Sequence, residues 1–188
     1  MSFREKFFDD VEALIQAIRE GFNPQYLFFW GHQSKVGTSI GKSCLSQWYP
    51  APFQINNLTY LTAEHYMMAE KARLFNDQVI VEKILKAICP QEVKALGREI
   101  KHFDEAQWRE QRSEIVIQGN LAKFAQNPLL KHFLLKTANQ VLVEASPVDK
   151  IWGIGLAEND LQIQDPEKWL GLNLLGFALM KVRRRLKG

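Results

Sequence analysis

The chain has 188 residues, 46% of them hydrophobic and 24% charged, with 24 basic and 21 acidic side chains for a net charge of +3. This is the composition of an ordinary globular domain, and it excludes disordered and fibrous classes; the charge is too mild to argue for a nucleic-acid partner. No run of eighteen apolar residues offers a membrane span, and the start Met1-Ser2-Phe3-Arg4-Glu5-Lys6 is charge-rich rather than an apolar leader, so a single domain over residues 1–188 in the cytosol is expected.

Residues 5 to 19 carry Phe7, Phe8, Val11, Leu14, Ile15 and Ile18 at helical spacing, with Gly21 as the closing residue, and predict a docking helix. Tyr26-Leu27-Phe28-Phe29-Trp30 reads as a buried strand ending at Gly31. The segment Ser34 to Ser43 contains Gly41-Lys42-Ser43. Only Thr38, Ser39 and Ile40 separate it from Gly37, one residue short of a phosphate loop, and Trp48-Tyr49-Pro50-Ala51-Pro52 breaks any following helix, so a flexible surface loop is expected. Cys44 and Cys89 are the only cysteines. Far apart in sequence, they form neither a disulfide framework nor a zinc pattern, and no metal is expected.

Phe53 to Leu61 flank Asn56-Asn57, two residues that tolerate positive φ, which predicts a short hairpin. Thr62 then caps a helix through Phe75 with no Gly, Pro or β-branched residue in its interior. Steps of three and four place Glu64, Met67, Met68, Lys71, Ala72 and Phe75 on one stripe, so two ionisable groups share an apolar face about two turns apart. A ligand could lie between them; the alternative is that each is solvated or paired elsewhere. His65, next to Glu64, points about 100° away and reads as a hydrogen-bonded structural residue.

Further helices follow over Val79 to Ile88, from Pro90 to Ile100, from the Asp104 cap to Gln126, and from Asn127-Pro128 to Lys136. Val141-Leu142-Val143-Glu144 either pairs with Tyr26 to Trp30 or stands alone. Ser146 to Gly155 reads as a capped single turn running into a glycine loop, and Leu174 to Leu186 is a terminal amphipathic helix. It ends in the cluster Lys181, Arg183, Arg184, Arg185 and Lys187, read as a solvated terminus with phosphate contact as the lesser reading. The fold class is mainly α, with a small β-hairpin and a short sheet.

Four separated blocks resemble the NADAR domain, or YbiA-like, family: Cys44-Leu45-Ser46-Gln47-Trp48-Tyr49; Thr62-Ala63-Glu64-His65-Tyr66 with Lys71-Ala72; Val143-Glu144-Ala145-Ser146 with Asp149 and Trp152-Gly153; and Gly171-Leu172-Asn173-Leu174-Leu175-Gly176. Gly97-Arg98, Trp108, Arg112 and Lys123-Phe124 fit between them. The resemblance covers about residues 26–186 and leaves 1–22 as an accessory helix; Asn56-Asn57 departs from a glycine-containing turn common in the family. It implies a mostly helical fold without a cofactor and chemistry on N-glycosidic bonds. Substrates implied are ribosylamino-pyrimidine phosphates of early riboflavin synthesis, or ADP-ribosylated guanine, in which case nucleic acid is a partner. It also implies that Glu64, Lys71 and Asp149 are catalytic and that Trp152 belongs to the site.

Cleaving a ribose C1–N bond passes through a cation-like sugar, which a carboxylate stabilises while an acid protonates the leaving nitrogen. Glu64 and Asp149 are the candidate carboxylates. Lys71 is either a nucleophile at C1 or an electrostatic partner for substrate hydroxyls or phosphate. Trp152 and Trp48 offer π-faces for a base, Gly153 and Gly155 offer backbone amides to a phosphate, and Tyr66 is a further substrate-binding candidate. Among Arg98, Arg112 and Lys123, which read as phosphate clamps or surface charges, Arg112 is the one chosen. The alternative function is a non-catalytic module that binds ADP-ribose or a related nucleotide, for which a reactive amine is unnecessary.

Overall fold

A computed structural model describes residues 8–33 and 40–188. Its contacts divide the chain into two units, one formed by residues up to Trp30 together with Leu134–Lys187 and the other by Gly31–Phe133. The secondary structure is mainly helical with short strand pairs, as the sequence predicts.

In the first unit, helix α1 (Val11–Arg19) is capped by Asp10, whose carboxylate accepts the Ala13 N–H at 2.7 Å. The cap sets the helix start later than the apolar spacing suggests: Phe8 is buried but precedes the helix, and Glu5 to Phe7 lie outside the described residues. Leu14 and Ala17 are buried, and Arg19 pairs with Glu167 at 2.7 Å, so this helix docks as expected. Strand β1 (Tyr26–Phe29) pairs in parallel with β4 (Val141–Glu144), Tyr26 opposite Val141 and Phe29 opposite Glu144. Of the five residues read as a buried strand only Phe29 is fully enclosed, and Trp30 is 55% exposed, because it follows the last paired residue.

The other edge of β4 is satisfied by a side chain. Asn173, fully buried at φ 51°, accepts the Glu144 N–H at 3.0 Å and donates to the Leu142 carbonyl at 3.0 Å, as a neighbouring strand would. Helix α7 (Leu174–Lys187) then packs against β4 so closely that a Cβ at Gly176 would collide with the Leu142 carbonyl. Its basic end is not uniformly solvated. Arg183 is buried and donates to Thr137 Oγ1 at 2.8 Å and the Gln140 carbonyl at 2.9 Å, and Lys181 pairs with Asp9 at 2.6 Å. Arg183 falls on the inward face of the helix, which overturns its place in a solvated cluster.

The second unit is built around α2 (Ala63–Leu74), which contacts α3 (Gln78–Lys86), α4 (Pro90–Leu96) and α5 (Glu105–Gln126). The hairpin β2 (Phe53–Ile55) and β3 (Leu58–Tyr60) precedes it, with Asn56 and Asn57 at φ 51° and 62°, the left-handed pair of a two-residue turn. Thr62 caps α2 as predicted, accepting the His65 N–H. The single-stripe expectation fails: every residue from Ala63 to Ala69 is buried, since helices close on more than one side of α2. Part of the Ser34 to Ser43 segment, residues 34–39, lies outside the described residues; Lys42–Leu45 forms a 3-10 turn with Cys44 and Leu45 buried. Helix α6 (Pro128–Lys136) follows α5.

Candidate functional site

The first turn of α2 brings Glu64 inside, 4% exposed, and its backbone N–H donates to the Gln47 carbonyl at 3.0 Å. Two turns later Lys71 is half-buried. Its ammonium donates to the Gly97 carbonyl at 2.9 Å and lies 4.3 Å from the Phe103 ring centre and 5.6 Å from that of Trp108. Burial pushes the Lys71 pKa down, and the charges of Glu105 and Glu64 pull in the opposite direction. The Glu64 carboxylate therefore lies near enough to act on the Lys71 ammonium.

Helix α5 supplies the facing wall. Asp104 caps it by accepting the Gln107 N–H at 2.7 Å, which sets Glu105 and Trp108 in its first turns. Arg112 is 8% exposed, with Glu105 at 3.9 Å, and burial lowers its pKa while Glu105 opposes the shift. Lys71, Glu105, Trp108 and Arg112 thus form one patch of mixed charge and aromatic surface. Phe103, Glu105 and the Gly97 carbonyl went unrecognised in the sequence; only the Asp104 cap placed Glu105 at a helix start.

Trp48 follows the residue that holds the start of α2. It is half-buried, with the His32 ring 5.6 Å away and the Lys94 ammonium 5.7 Å from its own ring, an electropositive stacking surface. Tyr66 is enclosed between Phe53 and Tyr60, at 6.1 and 5.1 Å, and burial raises its pKa to about 12. His65 is structural, as expected. The Ala87 carbonyl, 3.2 Å away, can only accept from Nε2, so Nδ1 accepts from Thr62 Oγ1 at 2.8 Å, and burial lowers the ring pKa in keeping with the neutral form.

The three basic candidates separate. Arg98 is exposed, Arg112 lies in the patch, and Lys123 is completely buried, donating to the carbonyls of Cys44 at 2.7 Å and Ser46 at 2.8 Å. Burial pushes its pKa down to about 7, so neither reading of Lys123, surface charge or phosphate clamp, holds. Its spacing after Val116 and Gly119, both buried, was the available signal.

In the first unit, Asp149 Oδ1 accepts the N–H groups of Ile151 and Trp152, both at 2.8 Å, and Ser146 Oγ accepts the Asp149 N–H at 3.2 Å. These bonds close a turn that presents Trp152 half-buried. Both glycines are packed tightly within the loop. A Cβ at Gly153 would stand 2.8 Å from the Glu144 carbonyl, and the Gly155 N–H is spent on the Asp149 carbonyl at 3.1 Å, which overturns the expectation that Gly155 offers its amide to a phosphate.

Sequence comparison adds to this geometry. The profile of the NADAR domain matches residues 28–187. The chain belongs to the NADAR family. Among its NADAR relatives, the mimivirus N-glycosidase R617 is 42% identical over 85% of this chain and 95% of that protein. The chloroplastic riboflavin biosynthesis protein PYRR of Zea mays is 36% identical over 69% of this chain, though the match spans only 20% of that longer protein. The NMR structure of the E. coli protein YbiA superposes with a TM-score of 0.70 at 25% identity, covering 92% of this chain and 91% of that one. The NADAR fold is thus present over nearly the whole chain.

Proposed function

We propose that the protein is an N-glycosidase that cleaves the ribose C1–N bond of ribosylamino-pyrimidine phosphates, acting in the cytosol. The observation that carries this reading is a buried carboxylate and a half-buried amine on one helix, electrostatically coupled. The names of the mimivirus and maize relatives support it.

Glu64 stabilises the positive charge that develops at C1 and then takes a proton from attacking water. Lys71 acts covalently. Its amine, whose neutral form burial favours, donates its lone pair to C1 as the C1–N bond breaks, and the bonding pair leaves with the base nitrogen, which takes the proton that the newly bonded lysine nitrogen sheds. The remaining lysine proton passes to the ring oxygen as the ring opens, giving an imine; water then adds to C1, and its two protons return to the nitrogen as the sugar phosphate leaves as an aldehyde and the amine is restored. Arg112 contributes charge for the phosphate and Trp48 a face for the base. Asp149 and Trp152 keep the carboxylate and stacking roles implied by the family, and Asp149 also holds the Trp152 backbone. Gly153 serves by letting that loop close, and Tyr66 by packing α2.

Base release is measured separately from ribosylamino-pyrimidine phosphate and from ADP-ribosylated guanine, the latter as nucleoside and in DNA. Turnover of the first, lost in a folded Glu64→Gln protein, is expected. Turnover of the second alone would move the substrate to modified guanine with nucleic acid as partner. Tight ADP-ribose binding without turnover of either would make the protein a binding module and overturn the enzyme reading.

A further inference from the structure

Helix α5 carries two fully buried polar side chains three residues apart, Asn120 and Lys123. Both reach the same short segment. Lys123 holds the carbonyls of Cys44 and Ser46, and Asn120 Nδ2 donates to Gln47 Oε1 at 2.7 Å. The orientation of the Asn120 amide is fixed, because its Nδ2 also donates to the Val116 carbonyl at 2.9 Å, and a carbonyl can only accept. Gln47 in turn accepts the Glu64 N–H, one of the N–H groups that a helix start leaves without an intrahelical partner. Three hydrogen bonds from α5 thus fix a segment that itself fixes the residue bearing the proposed catalytic carboxylate.

The arrangement is poor for stability alone. Gln47 Nε2 and Asn120 Oδ1 are buried without a partner among the described residues, and Lys123 is enclosed entirely. What the two side chains do satisfy is one segment only, Gln47 Oε1 and the carbonyls of Cys44 and Ser46. We infer that Asn120 and Lys123 are positioning residues, which set Glu64 at its working distance from the substrate through the Cys44–Gln47 segment. This rests on the reading of Glu64 as catalytic.

The test compares Asn120→Leu, Lys123→Met and Glu64→Gln, alone and with each α5 change combined with Glu64→Gln, for thermal midpoint and for kcat and KM on ribosylamino-pyrimidine phosphate. Both α5 variants are expected to fold but to melt below the wild type, because Gln47 Oε1 or the Cys44 and Ser46 carbonyls lose their donor. Their kcat should fall about 10- to 100-fold, the effect of a misplacement near 1 Å, with KM within about twofold. In the Glu64→Gln background either change should cost nothing further, because the carboxylate they place is already gone. Folded α5 variants with wild-type kcat, or losses that multiply with that of Glu64→Gln, would overturn the inference. Should Asn120→Leu fail to fold, Asn120→Ser and Lys123→Met carry the same test. A folded Glu64→Gln protein with undiminished turnover would instead refute the catalytic reading of Glu64, a result separate from the α5 outcomes.

Discussion

The ammonium of Lys71 donates to the carbonyl of Gly97 at 2.9 Å, so the charge at the end of a flexible four-carbon chain is held at one place against the Phe103 ring. A tethered, partly desolvated amine is the form in which lysine becomes a nucleophile. Lys71→Met and Lys71→Arg should both lower kcat by at least about 100-fold, since the arginine keeps the charge and loses the attacking amine. Borohydride added during turnover should leave a sugar-phosphate adduct on Lys71, read as a mass increase on that peptide. Wild-type turnover by Lys71→Arg would exclude the covalent role.

Lys123 makes folding stability depend on pH. Unfolded, it keeps its proton up to the ordinary lysine value of 10.5; folded, only to about 7. The unfolded chain binds more protons between these values, so stability rises with pH above about 7 and this contribution is flat below. Above about 9 the Cys44 thiol, raised by burial to about 11, opposes the trend, because the folded state then keeps a proton that the unfolded state has lost. Between pH 7 and 8.5 the wild type should gain about 1–2 kcal/mol relative to Lys123→Met, at about 1.4 kcal/mol per pH unit for one full proton. Urea midpoints of the two proteins at both pH values measure the difference.

Gly119 lies against the Tyr66 ring, where a Cβ would stand 2.5 Å from Cδ1. The ring is packed against Phe53 and Tyr60. Gly119→Ala should therefore destabilise by about 1–3 kcal/mol despite the better helix propensity of alanine, seen as a lower urea midpoint with an unchanged slope.

The hairpin turn needs positive φ at Asn56 and Asn57. Asn57→Gly should leave stability within about 0.5 kcal/mol of wild type, since glycine relieves the backbone but loosens the unfolded chain. Asn57→Val, with a branched Cβ in the left-handed region, should cost about 1–2 kcal/mol by the same denaturation measurement.

Features settled within a few residues were legible in the sequence alone. The Thr62 and Asp104 caps, the Asn56-Asn57 turn and a hydrogen-bonded His65, paired with Thr62 Oγ1, follow from side chains acting on their own backbone or on the next helical turn. Only the tertiary structure decided the rest. It enclosed α2 on more than one side, and it turned two basic residues inward, Lys123 onto the Cys44 and Ser46 carbonyls and Arg183 onto Thr137 and Gln140. It also let Asn173 complete the edge of β4 and spent the glycines of the Trp152 loop on internal packing. For Lys123, Arg183 and Asn173 the reason is the same: a buried cation or amide is satisfied by carbonyls tens of residues away, and no local pattern in the chain records where those carbonyls will lie.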